Sequence, residues 1–195
     1  MIPAGYLIKR TVPPLGWLQP NASNIAEVCS VSDCVNDDVV DLLDSWKFNN
    51  FGFANTKEIL LELAQSSAVD LSDTSLFFYY VYERELGSDG WKFDPEGWRK
   101  LTLPDISTIE NGVVAPECAD RPVLLGYDVV VCGDFPEHSP LSCNLIATEL
   151  PVNQFCLFDD FDAAKAAINA GKFGGGCGEG FYRIMSVCRV EGWYD

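Results

Sequence analysis

The sequence predicts an α+β fold: a single domain over residues 1–195, with a mixed, mostly antiparallel sheet and about three helices. Three observations lead there. Apolar residues make up 48% of the chain and charged residues 22%, the balance of a protein with a core to bury. Aromatic and β-branched runs alternate with stretches of helical period. They do so without the regular strand–helix–strand rhythm that a parallel sheet needs.

Tyr6 to Val12 reads as a first strand, stopped by Pro13-Pro14, and Glu27 to Ser32 as a short extended segment. Asn36 is placed to cap a helix whose first turn carries Asp37 and Asp38. Val39, Val40, Leu42, Leu43 and Trp46 would form its apolar face. Thr56 caps a second helix with Ile59, Leu60, Leu63 and Ala64 facing inward.

Ser75 to Leu86 is the clearest strand, followed by a turn at Gly87–Gly90 and a return at Trp91–Phe93. Residues 104–122 hold Pro104, Asn111-Gly112, Pro116 and Pro122 and predict a long surface excursion. Val123 to Cys132 is nearly all apolar and predicts a central strand buried on both faces. Asn144–Leu150 and Gln154–Phe158 read as weaker extended segments.

Asp159 and Asp160 open a helix with Phe161, Ala164, Ala167 and Ile168 as its stripe. Gly171 ends that helix as a left-handed cap. Phe181 to Val190 is the last strand. No internal repeat is visible along the chain.

Charge restricts function. The chain has 29 acidic and 13 basic residues and a net charge of −16. The first 35 residues balance Lys9 and Arg10 against Glu27 and Asp33, so the excess acid is spread over the remaining, folded-looking sequence. This distribution favours a basic protein partner and excludes direct binding to a nucleic-acid backbone. No apolar run has the length of a membrane span, and the first residues do not read as a signal peptide. The expectation is a cytoplasmic protein that binds no membrane. Its eight cysteines, several among apolar neighbours, are expected to be reduced and buried.

No cofactor or metal site is expected. Gly174–Gly180 follows a helix and precedes a strand, the reverse of a phosphate loop, and Glu179 would repel the anion. Cys29 and Cys34 lack the second cysteine pair of a structural zinc site. Asp159, Asp160 and Asp162 lack the alternating ligands of a calcium loop.

Two sets of residues remain. Asp37, Asp41 and Asp44 fall on one face of the first predicted helix, and Trp91 to Trp98 encloses Asp94 and Glu96. With Trp46, Trp91 or Trp98 as an aromatic anchor, these acids are the candidate partner-binding surface. A plain solvated face is the competing reading. The alternative is an enzyme in which Cys143 is the nucleophile, His138 its base and Asn144 the group that orients the imidazole. A loop histidine beside a buried thiol is the simpler account of the same residues. A third possibility is a structural or regulatory subunit whose acidity serves solubility.

Ser139-Pro-Leu-Ser-Cys-Asn144 and Glu149-Leu-Pro-Val-Asn153, with Met1-Ile-Pro-Ala-Gly-Tyr6 and Phe181-Tyr-Arg-Ile184, resemble a group of small uncharacterised bacterial proteins. That resemblance spans most of the chain and implies no catalytic residues. In size, acidity and lack of a catalytic motif, the chain also resembles immunity proteins of bacterial toxin systems. This implies an acidic inhibitor of a cationic toxin or enzyme.

Overall fold

A computed structural model describes residues 2–10, 13, 24–31, 37–38, 49, 52–84, 98–99, 119–132, 136–174 and 181–193. Four long strands form the body: β1 (Ile2–Arg10), β3 (Ser75–Arg84), β5 (Pro122–Cys132) and β7 (Phe181–Val190). Three short ones attach to it: β2 (Asp37–Asp38), β4 (Trp98–Arg99) and β6 (Pro136–His138). The order is β2-β1-β3-β7-β5-β6, with β4 on β3, and every pairing is antiparallel. The helices among the described residues are α1 (Lys57–Ser66), α2 (Pro140–Cys143) and α3 (Phe161–Asn169).

Strand alternation sorts the side chains into two layers. Phe77, Tyr79 and Val81 of β3 point to one face, with Leu7, Val130, Met185 and Val187 of the neighbouring strands. Cys29, Val31, Phe53 and Leu157, all from long connections, cover this face. On the other face Tyr6, Ile8, Leu76 and Phe78 meet Leu60, Leu63 and Ala64 of α1. There too, Val129 and Ile184 meet Ala164, Ala167 and Ile168 of α3. Among the described residues, the sheet is therefore covered by two helices on one side and by arching loops on the other.

The structure contains an internal repeat that the sequence does not show. Gly5-Tyr6 of β1 and Gly126-Tyr127 of β5 occupy matching places, each following a bulge in its strand. Tyr6 exchanges both backbone hydrogen bonds with Ala54, at 2.8 and 3.0 Å. Tyr127 does the same with Phe158, at 2.9 Å each. Asn49 donates through Nδ2 to the Ala4 carbonyl at 2.7 Å and accepts from Phe53 N at 3.3 Å. Asn153 donates to the Leu125 carbonyl at 2.8 Å and accepts from Leu157 N at 3.3 Å.

Each arch then leads into a capped helix. The Thr56 hydroxyl accepts from Ile59 N at 3.4 Å, and the Asp160 carboxylate accepts from Ala163 N at 2.7 Å. Each helix returns to a central strand, β3 or β7. These two pair in register, with Tyr79 opposite Val187. Tyr79 also stands opposite Gly5, and Val187 opposite Gly126. The halves are thus related by a twofold axis through the β3–β7 seam.

The two glycines are required by contact as well as conformation. Their φ angles are +129° and +154°. A Cβ on Gly5 would lie 2.5 Å from the Ala54 carbonyl oxygen, and one on Gly126 would lie 2.6 Å from that of Phe158.

Several expectations change. Asp37 and Asp38 do not open a helix. They pair as a strand with Arg10 and Lys9, where the register sets acid opposite base. The β5 strand is one place in from the β6 edge rather than central, and Pro122, Val123 and Leu124 are exposed. Its apolar run reflects cover on both faces, which does not require the central position. Ile146–Thr148 is a 3₁₀ turn that follows Leu145 at φ 63°, not an extended segment. The remainder of the first predicted helix, the Gly87–Phe93 hairpin and residues 104–118 lie outside the described residues.

Candidate functional site

Beneath the arches, on the face away from the helices, lies a layer of buried polar groups. Asp128 is at the middle of β5 and opposite Met185, so its carboxylate points into this layer. Oδ2 accepts from Val31 N at 2.8 Å and from Ser139 Oγ at 2.6 Å. Ser30 Oγ donates to Ser142 Oγ at 2.6 Å, which in turn donates to the Ser139 carbonyl at 3.3 Å. Lys9 is 1% exposed and donates through Nζ to the carbonyls of Ser30, at 2.8 Å, and Val31, at 2.5 Å. The segment 24–31 is thus tied from beneath to β1, β5 and the turn leading into α2. Its backbone also bonds to Gln154 and Phe155.

A second tie lies beside it. Arg189 Nη2 donates to Glu27 Oε2 at 2.8 Å and to Cys29 Sγ at 3.5 Å. Its guanidinium also stands over the rings of Phe77 and Phe155, 5.5 and 5.9 Å from their centres. Burial works against the Arg189 charge, but Glu27 and Cys29 hold the proton on, and the net shift is upward.

The chemistry of the layer follows from its closure. Burial pushes the Asp128 carboxyl up to about 6, against the lowering effects of Ser139, Val31 and Lys9. Its Oδ1 is buried without a hydrogen-bond partner. Asp128, Ser30, Ser139 and Ser142 all have zero exposure, so no hydroxyl here is presented to a substrate. The arrangement fastens an arch to a sheet.

The residues of the alternative enzyme reading lie on the rim of this layer without forming a catalytic pair. His138 ends β6 and is half-buried. Its Nε2 is buried without a partner, and no hydrogen bond joins it to Cys143. Cys143 is disulfide-bonded, which corrects the expectation of a reduced thiol and leaves no thiolate to attack a substrate. Asn144 is the C-cap of α2, donating its backbone N–H to the Pro140 carbonyl. Cys29, Cys132, Cys156 and Cys188 are buried thiols outside any disulfide, as expected. Burial raises the thiols of Cys29 and Cys156 to about 12 and that of Cys188 to about 11, so they remain protonated and unreactive.

Of the expected partner-binding residues, Asp37 is placed in β2 and Trp98 in β4. Asp41, Asp44, Trp46, Trp91, Asp94 and Glu96 lie outside the described residues. The structure adds a different pattern. Cations are drawn inward: Lys9 is buried, Arg189 is paired and half-buried, and Arg10 is held by Asp73 at 3.0 Å and by the Asp70 carbonyl. Acids stay outside. Glu58, Glu62, Asp70, Asp73, Asp120, Glu149, Asp159, Asp160, Asp162 and Glu191 are exposed, against Lys57, Arg121 and Lys172 among the described bases.

Lys9, Asp128 and the serines were not expected from sequence. A lysine in a strand face and an aspartate inside an apolar run were the available signals. Among the described residues, no helix is long and apolar enough to cross a membrane. Comparison with known proteins finds no matching family model, curated relative or solved structure.

Proposed function

We propose that this chain is a protein-binding protein whose partner is basic, in the manner of an immunity-type inhibitor of a cationic toxin or enzyme. The observation that supports this is the charge at the surface: among the described residues ten acids are exposed against three bases, so the outer field is strongly one-signed. Such a field speeds encounter with a cationic surface and repels an acidic one. The resemblance to small bacterial proteins belongs to the same proposal. So does a cytoplasmic location, against which the disulfide at Cys143 weighs, because disulfides persist in oxidising compartments.

The test is to co-purify a partner from the native host and measure its association rate against ionic strength. A basic partner whose rate falls at least tenfold between low and physiological salt supports the reading. The companion variant neutralises Asp37, Asp41, Asp44, Asp94 and Glu96 to Asn or Gln, and is expected to slow association and flatten the salt dependence. An acidic partner, or a rate indifferent to both salt and these changes, overturns it.

A further inference from the structure

The two halves differ at one corner. In the C-terminal half, the space between β5, the start of α3 and the end of β3 is filled by three rings. Phe161 lies 4.4 Å from Tyr82 and 6.3 Å from Tyr127, centre to centre, and Tyr82 and Tyr127 are 6.4 Å apart. The matching corner of the N-terminal half lies between β1, the start of α1 and the end of β7. There Tyr6 answers Tyr127, but Lys57 stands for Phe161 and Val190 for Tyr82. Tyr6 leans edge-on against Phe78 at 4.6 Å, where the other half has Ser186. Two rings are missing, and the space is a pocket of about 460 Å³ lined by Tyr6, Lys57, Val190, Asp120, Arg121 and Trp193.

We propose that this pocket takes an aromatic side chain presented by a partner polypeptide. The fold itself shows what fits: the matching space accepts two rings packed tilted or edge-on about a tyrosine. Tyr6, Val190 and Trp193 supply the apolar part of a lining that is mostly polar, and Glu58, Asp120 and Glu191 outnumber Lys57 and Arg121 around it. That rim suits an aromatic residue with basic neighbours. The apolar contact also continues beyond the pocket. Pro122 pairs beside Val190 and Leu124 beside Cys188, on the pocket's face of the sheet, and Leu124 is 50% exposed. A polypeptide reaches along that strand, whereas a lone ring does not. The proposal rests on the protein-binding reading and supplies its anchor.

Two probes test it on the full chain: N-acetyl-tyrosinamide and a capped Lys-Tyr-Leu tripeptide. Binding is read from the Trp193 indole N–H resonance, identified with Trp193→Phe. That N–H donates to the Thr74 carbonyl at 3.4 Å. Both probes are expected to saturate the shift, the tripeptide at least tenfold more tightly. The double variant Lys57→Phe/Val190→Tyr rebuilds the ring triad. It is expected to weaken both probes at least tenfold while melting no lower than the parent. Should it not fold, Val190→Tyr alone is expected to weaken both at least threefold.

Absence of a saturable shift, or unchanged affinity in the filled variants, overturns the pocket. Equal affinity for the two probes overturns its assignment to a polypeptide. N-acetyl-tyrosinamide is neutral, so its result stands or falls separately from the salt dependence that tests the charged surface.

Discussion

The N-terminal and C-terminal halves share a backbone plan but use it differently. Both bulge a strand at a Gly-Tyr pair, brace the following arch with one asparagine, cap a helix with one side chain and return to the seam. Beneath its arch, the C-terminal half carries Asp128 where the N-terminal half has Leu7. The N-terminal half carries Lys9 where the other has Val130. The shared residues are those whose hydrogen bonds or steric contacts shape the chain. Those that differ line the interior and the corner: Asp128 and Lys9 build the buried polar layer, and Lys57 and Val190 leave the pocket.

If the glycines are what the halves share most strictly, their loss should be the largest effect and equal in both. Gly5→Ala and Gly126→Ala are each expected to cost about 3 kcal/mol in urea denaturation, from left-sided φ combined with overlap on a carbonyl oxygen. A cost below about 1 kcal/mol at either site would break the equivalence.

The polar lock should separate the halves by pH. The carboxyl of Asp128 lies at about 6 in the folded chain against 3.8 ordinarily, so the folded state binds the proton more tightly. The resulting stability is present below about pH 4 and lost as pH rises through about 6. At roughly 1.4 kcal/mol per unit, the loss is on the order of 3 kcal/mol. Asp128→Asn is expected to remove this slope between pH 4.5 and 7.5 in denaturant titrations. A slope that persists unchanged assigns it elsewhere.

Smaller effects sharpen the comparison. Thr56→Ala and Asp160→Ala each remove one helix cap, at a cost of about 1 kcal/mol by thermal or urea unfolding. Glu27→Gln loosens a partly buried pair with Arg189. It is expected to cost up to about 1 kcal/mol, less in high salt, in the same assay at two ionic strengths.

The parts of this fold legible in sequence were those where one local signal dominates. The β7 strand matches its aromatic and β-branched run from Phe181 to Val190, and β3 starts at Ser75 as expected. Thr56, Asp160 and Gly171 act as caps in the places their chemistry suggested. The repeat stayed hidden because its shared residues are few and unequally spaced. Gly-Tyr and Asn are separated by a much longer connection in the first half than in the second, and even the cap changes from Thr to Asp. The polar layer stayed hidden for a different reason. Asp128 sits in a run that reads as core, and only tertiary structure brings it Val31 and Ser139. The open corner is visible only once Lys57 and Phe161 are known to be equivalent.

The β3–β7 seam also has consequences during synthesis. β3 leaves the ribosome long before residues 181–190 exist to pair with it. Until then its inner edge, lined by Phe77, Phe78 and Tyr79, has no β7 beside it. An aromatic edge left waiting for a distant strand is a template for pairing between chains. A chain truncated before residue 181 is therefore expected to aggregate through that edge.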